Sequence, residues 1–295
     1  MLTDAWFSAW LSLRAGALAP RTVDCYRDLY RLYIGPAFGS CDLSEVSAAR
    51  ITTMLANICA SGHTRTAVLV HAVLRRALAD AQRCGHVSAS PMADVPRPAH
   101  RPKPAAWLAP ETIPAYVAAA SRSPYRVAWL LALCCGLRRG EICGLRWEDI
   151  DFKARVIHVR NQRQRLASGQ IVDRPPKSAA GIRDIPIPAD VLPALRAARS
   201  IGGYVVISPR TARPITPNGL DQAHAHLLAS AGLDHVRLHD IRHTMGAVAI
   251  REAIPIKVLQ YLLGHAHYST TADIYAHVDT DAARAAIDCI THSVL

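Results

Sequence analysis

The sequence has no uninterrupted run of about 18 apolar residues, the length a membrane helix needs, so a membrane span is not expected. Its opening segment, Met1 to Leu18, carries neither a basic leader nor an unbroken apolar core and does not read as a secretory signal. The 8 cysteines are Cys25, Cys41, Cys59, Cys84, Cys134, Cys135, Cys143 and Cys289. They show no CxxC spacing and are scattered through apolar stretches, which fits reduced thiols in the cytoplasm. No glycine-rich phosphate loop, no βαβ alternation, no internal repeat and no low-complexity tract is present. Acidic residues are scarce: 23 Asp plus Glu stand against 34 Lys plus Arg, a formal charge of +11. A chain this basic usually meets a polyanion, most often nucleic acid. With 295 residues, of which 51% are hydrophobic, it can bury a sizeable core, and its length favours two domains.

The boundary is marked by Val95 to Trp107, where Pro96, Pro98, Pro102 and Pro104 alternate with Arg97, Arg101 and Lys103. Proline removes backbone donors and disfavours helix in the residue before it, so an extended linker is expected at 96–107. Residues 1–95 read as all-helical. Val23, Tyr26, Tyr30, Tyr33 and Ile34 follow helical spacing, with Gly35 and Pro36 expected to stop the helix. Ala67, Val70, Val73, Leu74, Ala77, Leu78 and Ala81 form one stripe, off which lie Arg65, Arg75 and Arg76. That basic face suits DNA phosphates and equally suits a merely solvated surface. Gly85 is a natural C-terminal stop.

Residues 108–295 read as mixed: mostly α with a small antiparallel β-sheet. Helices are expected at 110–121, 124–136, 139–146, 189–199, 217–231, 239–252, 255–263 and 270–276. Strands are expected at 155–160, 170–174, 182–187 and 204–207, where β-branched residues sit between turn residues. Lys153, Arg155, Arg160, Arg163, Arg165, Arg174, Lys177 and Arg183 share this stretch with a single acid, Asp173. Such a region repels itself unless an anion lies alongside, which points to a nucleic-acid groove with Arg160, Arg163, Arg165, Arg174 and Arg183 as DNA contacts.

Four segments carry candidate chemistry: CCGLRRGEICGLRWEDID (134–151), PPKSAAGIRDIPIP (175–188), LHDIRHT (238–244) and LLGHAHYSTTADIYAH (262–277). His239 and Arg242 stand at i and i+3 on one helix face. A guanidinium fork matches two phosphate oxygens, and an imidazole can donate to a third or accept a proton. Glu141 stands one helical turn after Arg138, as a partner that orients an arginine or as a surface charge.

In these motifs, in their order and over nearly its whole length, the chain resembles the tyrosine recombinase family of phage integrases and Xer-type recombinases. LAPRTVDCYRDLYRLYIGPAFG resembles the opening of that family's helical core-binding domain. The resemblance implies a core-binding domain at 1–95 and a catalytic domain at 108–295. It implies phosphate binding by Arg138, with Arg139 its rival, and by Arg242, together with His239. It implies a phosphate hydrogen bond from His265, with His267 competing. The nucleophile is implied to be Tyr275, Tyr261 and Tyr268 being the alternatives, and Lys177, at the turn of a hairpin, a general acid. Cys135 stands where the family often has Thr or Ser, and Ala253 where many members have Gly.

The set suits attack on a phosphodiester. Two arginines and two histidines stabilise a pentacoordinate, more negative state. Tyrosine, with a pKa of about 10, needs a base or a positive site to react as phenolate. A 3′-phosphotyrosyl link then stores the bond energy, so no ATP, metal or other cofactor is expected. The spacings His239/His243 and His224/His226 are not completed into a zinc pattern. Double-stranded DNA with paired sites is the expected partner. A homotetramer on DNA, formed through the tail 281–295, is also implied, although the tail can equally pack on its own domain. The alternative is a catalytically silent DNA-binding or architectural protein of the same fold. DNA relaxation by the same chemistry is a third reading.

Overall fold

The computed structural model describes residues 1–101, 107–200 and 203–264. Internal contacts divide the chain into two compact units, Met1–Lys103 with Leu166–Ser168, and Pro104–Arg165 with Gly169–Leu295. Residues 96–101 and 107 of the expected linker carry no helix or strand.

The first unit is helical: α1 (Thr3–Ala15), α2 (Pro20–Leu29), α3 (Gly35–Phe38), α4 (Ala48–Ala60) and α5 (Thr64–Arg83). Trp6, Phe7, Trp10, Phe38 and the apolar stripe of α5 form its core. Asp80, buried on α5, accepts from Trp10 Nε1 at 2.7 Å and from Arg14 and Arg83. Gly35 and Pro36 do not stop the second helix. A π-helical turn, Tyr30–Ile34, runs straight into α3, and Gly35 N donates to the Tyr30 carbonyl five residues back. Gly35 stays right-handed at φ −57°, and Pro36 takes an early position of α3, where a missing backbone donor costs least. Gly85, by contrast, follows the end of α5 at φ +76°, a conformation open to a residue without a Cβ.

The second unit begins with α6 (Ile113–Arg122), α7 (Arg126–Cys134) and α8 (Arg139–Gly144). Five short strands follow: β1 (Ile150–Asp151), β2 (Val156–Val159), β3 (Gln162–Arg165), β4 (Ile171–Arg174) and β5 (Arg183–Pro186). The unit continues with α9 (Leu192–Ala198), α10 (Pro217–Ser230), α11 (Leu238–Arg251) and α12 (Ile256–Leu263). Trp129, Leu131, Ile142, Ile157, Leu220 and Ile241 centre its core. The strands form two antiparallel sheets, β1-β2-β5 and β3-β4. In the larger sheet Val159 pairs with Arg183 and Ile157 with Ile185.

This pairing corrects the expected hairpin around Lys177. β4 pairs with β3, not with β5, and Pro175 and Pro176 end β4 by removing donors. Lys177 therefore sits, exposed, in the connection that leads from one sheet to the other. β3 reads Gln-Arg-Gln-Arg and offers no apolar alternation, which hid it in the sequence. What holds it is α8: a Cβ on Gly144 would come within 2.9 Å of Arg163 N, and one on Gly140 within 3.1 Å of Arg163 O. Only glycine lets the strand lie this close to the helix. The expected strand 204–207 is not one. Tyr204 and Ile207 make isolated bridges, to Arg146 and to Pro214. The expected helix 270–276 lies outside the described residues. Among the described residues, no helix is long and apolar enough to cross a membrane.

Candidate active site

Leu137 is buried and Arg138 follows it in extended conformation, φ −72° and ψ 152°, before α8 begins. Arg138 therefore stands at the helix start, where backbone donors are unpaired. Glu141 closes that end: its Oε2 accepts from Arg138 N at 2.8 Å and its Oε1 from Arg138 Nη1 at 2.7 Å. Arg139 points elsewhere and pairs with Asp221 on α10.

Glu141 is buried, and its second partner is Arg183 of β5. Arg183 Nη1 and Nη2 donate to Oε1 and Oε2 at 3.0 and 2.9 Å. Burial alone would raise the Glu141 carboxyl. The Arg183 fork, helped by the charges of Arg138 and Arg242, more than reverses this and holds it at about 2.

Three arginines then converge on the C-terminal turn of α12. Arg183 Nε donates to Leu262 O at 2.8 Å, Arg242 Nη2 to Leu263 O at 2.6 Å and Arg138 Nη2 to Gly264 O at 2.5 Å. These carbonyls have no partner within the helix and carry the negative end of its dipole, so cations belong there. Gly264 turns left-handed at φ +61°. A Cβ there would meet Ala180 O at 2.8 Å and Arg183 Nη1 at 2.9 Å, so glycine is required twice over. Arg242 also donates to the carbonyl of Gly136, itself left-handed at φ +59°. Arg242 is buried, 1% exposed.

His239 is one turn before Arg242 on α11, and its ring packs edge-on to His243 at 5.4 Å between centroids. Desolvation, then the charges of Arg242 and His243, lower the His239 imidazole to about 4, against a smaller opposing pull from Asp240. His239 is exposed overall, and Arg242 sets a permanent positive charge beside its ring. The ring is neutral at pH 7. Asp240 faces the other way, buried, and takes Arg237 Nε and Nη2 at 2.7 and 2.9 Å.

Arg138, Glu141, His239 and Arg242 are thus built into one structural neighbourhood, joined by Arg183. Lys177 is exposed in its connection, three residues before Ala180, whose carbonyl lies beside Gly264. His265 and Tyr275 lie outside the described residues, as does the tail 281–295. Of the two tyrosine alternatives, Tyr268 is also outside, while Tyr261 is exposed and its hydroxyl accepts from Asp184 N at 3.3 Å.

The expected DNA contacts divide. Arg183 is corrected: it is 4% exposed and spends its fork on Glu141 and Leu262, so it is not placed to meet a DNA backbone. The alternation of β5 carried the signal, because Arg183 shares a face with the buried Ile185. Arg163 is tied to Asp173 through two hydrogen bonds of 2.9 and 3.1 Å, with its guanidinium 4.0 Å from the centre of the Tyr204 ring. Part of the basic stretch is therefore neutralised internally, a pairing with Tyr204 that sequence spacing did not show. Arg65, Arg75, Arg76, Arg160, Arg165 and Arg174 are exposed, and Arg76 donates to Tyr26 Oη at 2.7 Å.

The fold is that of known DNA-transacting integrases. The Tn1549 transposon integrase in complex with a circular intermediate DNA superposes with a TM-score of 0.83 at 22% identity, over 98% of this chain and 99% of that one. A lambda integrase dimer bound to a COC' core site gives 0.71 at 19% identity, over 93% and 95%. In sequence, the putative prophage phiRv2 integrase of Mycobacterium tuberculosis (strain ATCC 25618 / H37Rv) is 30% identical over 266 residues, 87% of this chain and 69% of the relative. A XerC-like tyrosine recombinase of Caldanaerobacter subterraneus subsp. tengcongensis is 29% identical over 178 residues, which cover 52% of this chain and 45% of that protein. The model of the phage integrase family matches residues 106–282, and the chain belongs to that family.

Proposed function

We propose that this protein is a site-specific DNA strand transferase that cuts and rejoins DNA through a 3′-phosphotyrosyl intermediate. The observation that carries this reading is the convergence of Arg138 and Arg242 at the end of α12, with the neutral His239 beside them. In the sequence the next residues are those of the His265–Tyr275 motif. The Tyr275 phenol oxygen attacks phosphorus and forms a P–O bond while the bond to the 5′ oxygen breaks. His239 accepts the phenol proton and Lys177 gives one to the departing 5′ oxygen. Arg138, Arg242 and His265 neutralise the charge gained on the phosphoryl oxygens. The step is a transesterification that needs no metal and no ATP.

Residues 1–95 act as the core-binding domain, 96–107 as linker and 108–295 as catalytic domain. Arg65, Arg75, Arg76, Arg160, Arg163, Arg165 and Arg174 are proposed as DNA contacts. A lambda integrase tetramer bound to a Holliday junction shares the fold, which supports a tetramer on DNA. The tail 281–295 is proposed as the connector between subunits, and paired sites as the substrate. The protein acts in the cytoplasm, where its DNA is.

The test is incubation of the full chain with nicked duplexes taken from the DNA that flanks its own coding region. A covalent protein–DNA adduct is expected, and Tyr275→Phe abolishes it. If the wild-type chain retains the duplexes without ever forming an adduct, the silent DNA-binding reading takes its place. For Lys177, a bridging 5′-phosphorothiolate, whose leaving group needs no proton, is expected to rescue Lys177→Ala; failure to rescue removes the general-acid role.

A further inference from the structure

Glu141 poses an electrostatic problem for the proposed reaction, on which this inference rests. It touches Arg138, the arginine meant for the phosphate, at both its backbone N and its Nη1. A carboxylate with one cationic partner would take that arginine for itself and cancel its charge. The structure supplies a second cation. Arg183, 1% exposed at its side chain, meets both oxygens of Glu141, whose own side chain is 2% exposed. With Arg183 present, the charges of Arg138, Arg183, Arg242 and Glu141 sum to a net positive site. Without it, Glu141 and Arg138 cancel and Arg242 alone remains.

Arg183 also fixes geometry. Its Nε holds Leu262 O, next in sequence to the carbonyls that Arg242 and Arg138 hold, and its Nη1 donates to Gly181 O at 3.1 Å. Its guanidinium therefore ties β5, the start of α8 and the end of α12 to one another. Gly264 leaves the space this requires.

We propose that Arg183 is a positioning residue of strand transfer: it satisfies Glu141 so that Arg138 keeps its charge for the scissile phosphate. It touches neither DNA nor the reacting atoms. By analogy with groups that orient metal ligands, its removal is expected to cost on the order of 10–100-fold in activity.

The experiment is single-turnover adduct formation by the full chain on the nicked duplexes above, at saturating DNA and at a temperature where circular dichroism shows every variant folded. Arg183→Gln lowers the net charge of the cluster by one and is expected to slow cleavage by about 10–100-fold, with duplex affinity unchanged. Arg183→Lys restores the charge, as does the double variant Arg183→Gln with Glu141→Gln, and both are expected to recover most of the rate. Loss of the structural tie alone would leave the double variant as slow as Arg183→Gln, because restoring the charge does not restore the tie. Wild-type rate in Arg183→Gln, or an Arg183→Lys and a double variant as slow as Arg183→Gln, overturns the inference. If Arg183→Gln does not fold, the rates of the other two decide: recovery supports the charge argument and a 10-fold or larger loss in both, about the supporting-group cost, overturns it. Absence of any wild-type adduct instead overturns the strand-transfer reading and this inference with it.

Discussion

Arg183 and Glu141 form a buried two-point ion pair, Nη1 to Oε1 at 3.0 Å and Nη2 to Oε2 at 2.9 Å. It joins β5 to the start of α8, the turn from which Arg138 projects. A buried pair of this kind contributes little net stability over an apolar substitute, yet breaking it strands a charge. Glu141→Ala is therefore expected to destabilise the protein by about 3–5 kcal/mol. Urea denaturation checks this, and Glu141→Gln, which keeps a hydrogen-bond acceptor, should lose less.

Arg138 and Arg139 are neighbours with different commitments. Arg138 joins the cluster at the end of α12, while Arg139 forms a half-exposed pair with Asp221. If the strand-transfer reading holds, Arg138→Ala lowers adduct formation by about 100–1000-fold, the usual cost of a lost transition-state donor. Arg139→Ala changes it by no more than about 5-fold, since an exposed pair contributes roughly 0–1 kcal/mol. Adduct yield per minute on the same nicked duplex compares them directly.

Acid should weaken the second unit in two stages. His224 is buried against Tyr116 and Trp129, its Nε2 has no hydrogen-bond partner among the described residues, and desolvation lowers its imidazole from 6.5 to about 4. A depressed histidine means the unfolded chain binds the proton first. Stability is full above pH 6.5 and drains as pH falls toward 4, by about 2 kcal/mol between pH 7 and 5. His239 shifts in the same direction. Glu141, lowered from 4.5 to about 2, adds a second loss as pH falls from 4.5 toward 2. The Tm at pH 7 and pH 5 tests the first stage, and His224→Phe, which cannot be protonated, should flatten it.

Two left-handed glycines of the second unit should respond differently to alanine. At Gly232, φ +65°, an added methyl would meet nothing within 4 Å, so Gly232→Ala should cost only the conformational term, about 1–2 kcal/mol. At Gly264, φ +61°, the same methyl would meet a backbone oxygen at 2.8 Å and the Arg183 guanidinium at 2.9 Å. Gly264→Ala should cost clearly more, and a crystal structure of the variant should show Arg183 displaced. Equal melting temperatures for the two variants would refute the close packing inferred at the end of α12.

Much was legible in the chain itself. Helical periodicity marked α5 because it buries one stripe, and that pattern survives without knowledge of the partner surface. Resemblance to the family's motifs pointed to Arg138, His239 and Arg242, and helical spacing put Glu141 one turn from Arg138. Local signals failed where tertiary contacts decide. Gly35 and Pro36 read as a stop, yet a π turn absorbs both. β3 is polar throughout and exists because two glycines of α8 let it dock.

Charge was the least readable feature, because a sequence lists cations without saying where they point. Arg183 looked like one more DNA contact in a basic run. Its place on the inward face of β5, opposite a buried carboxylate, makes it an internal counter-ion. The sequence by itself determined the family, the helical pattern and the residue types available for phosphate chemistry, since these reside in local spacing. Which cation faces outward, which one answers Glu141, and which carbonyls of α12 three arginines share were decided only by the tertiary structure, because long-range packing sets the partners of a charge.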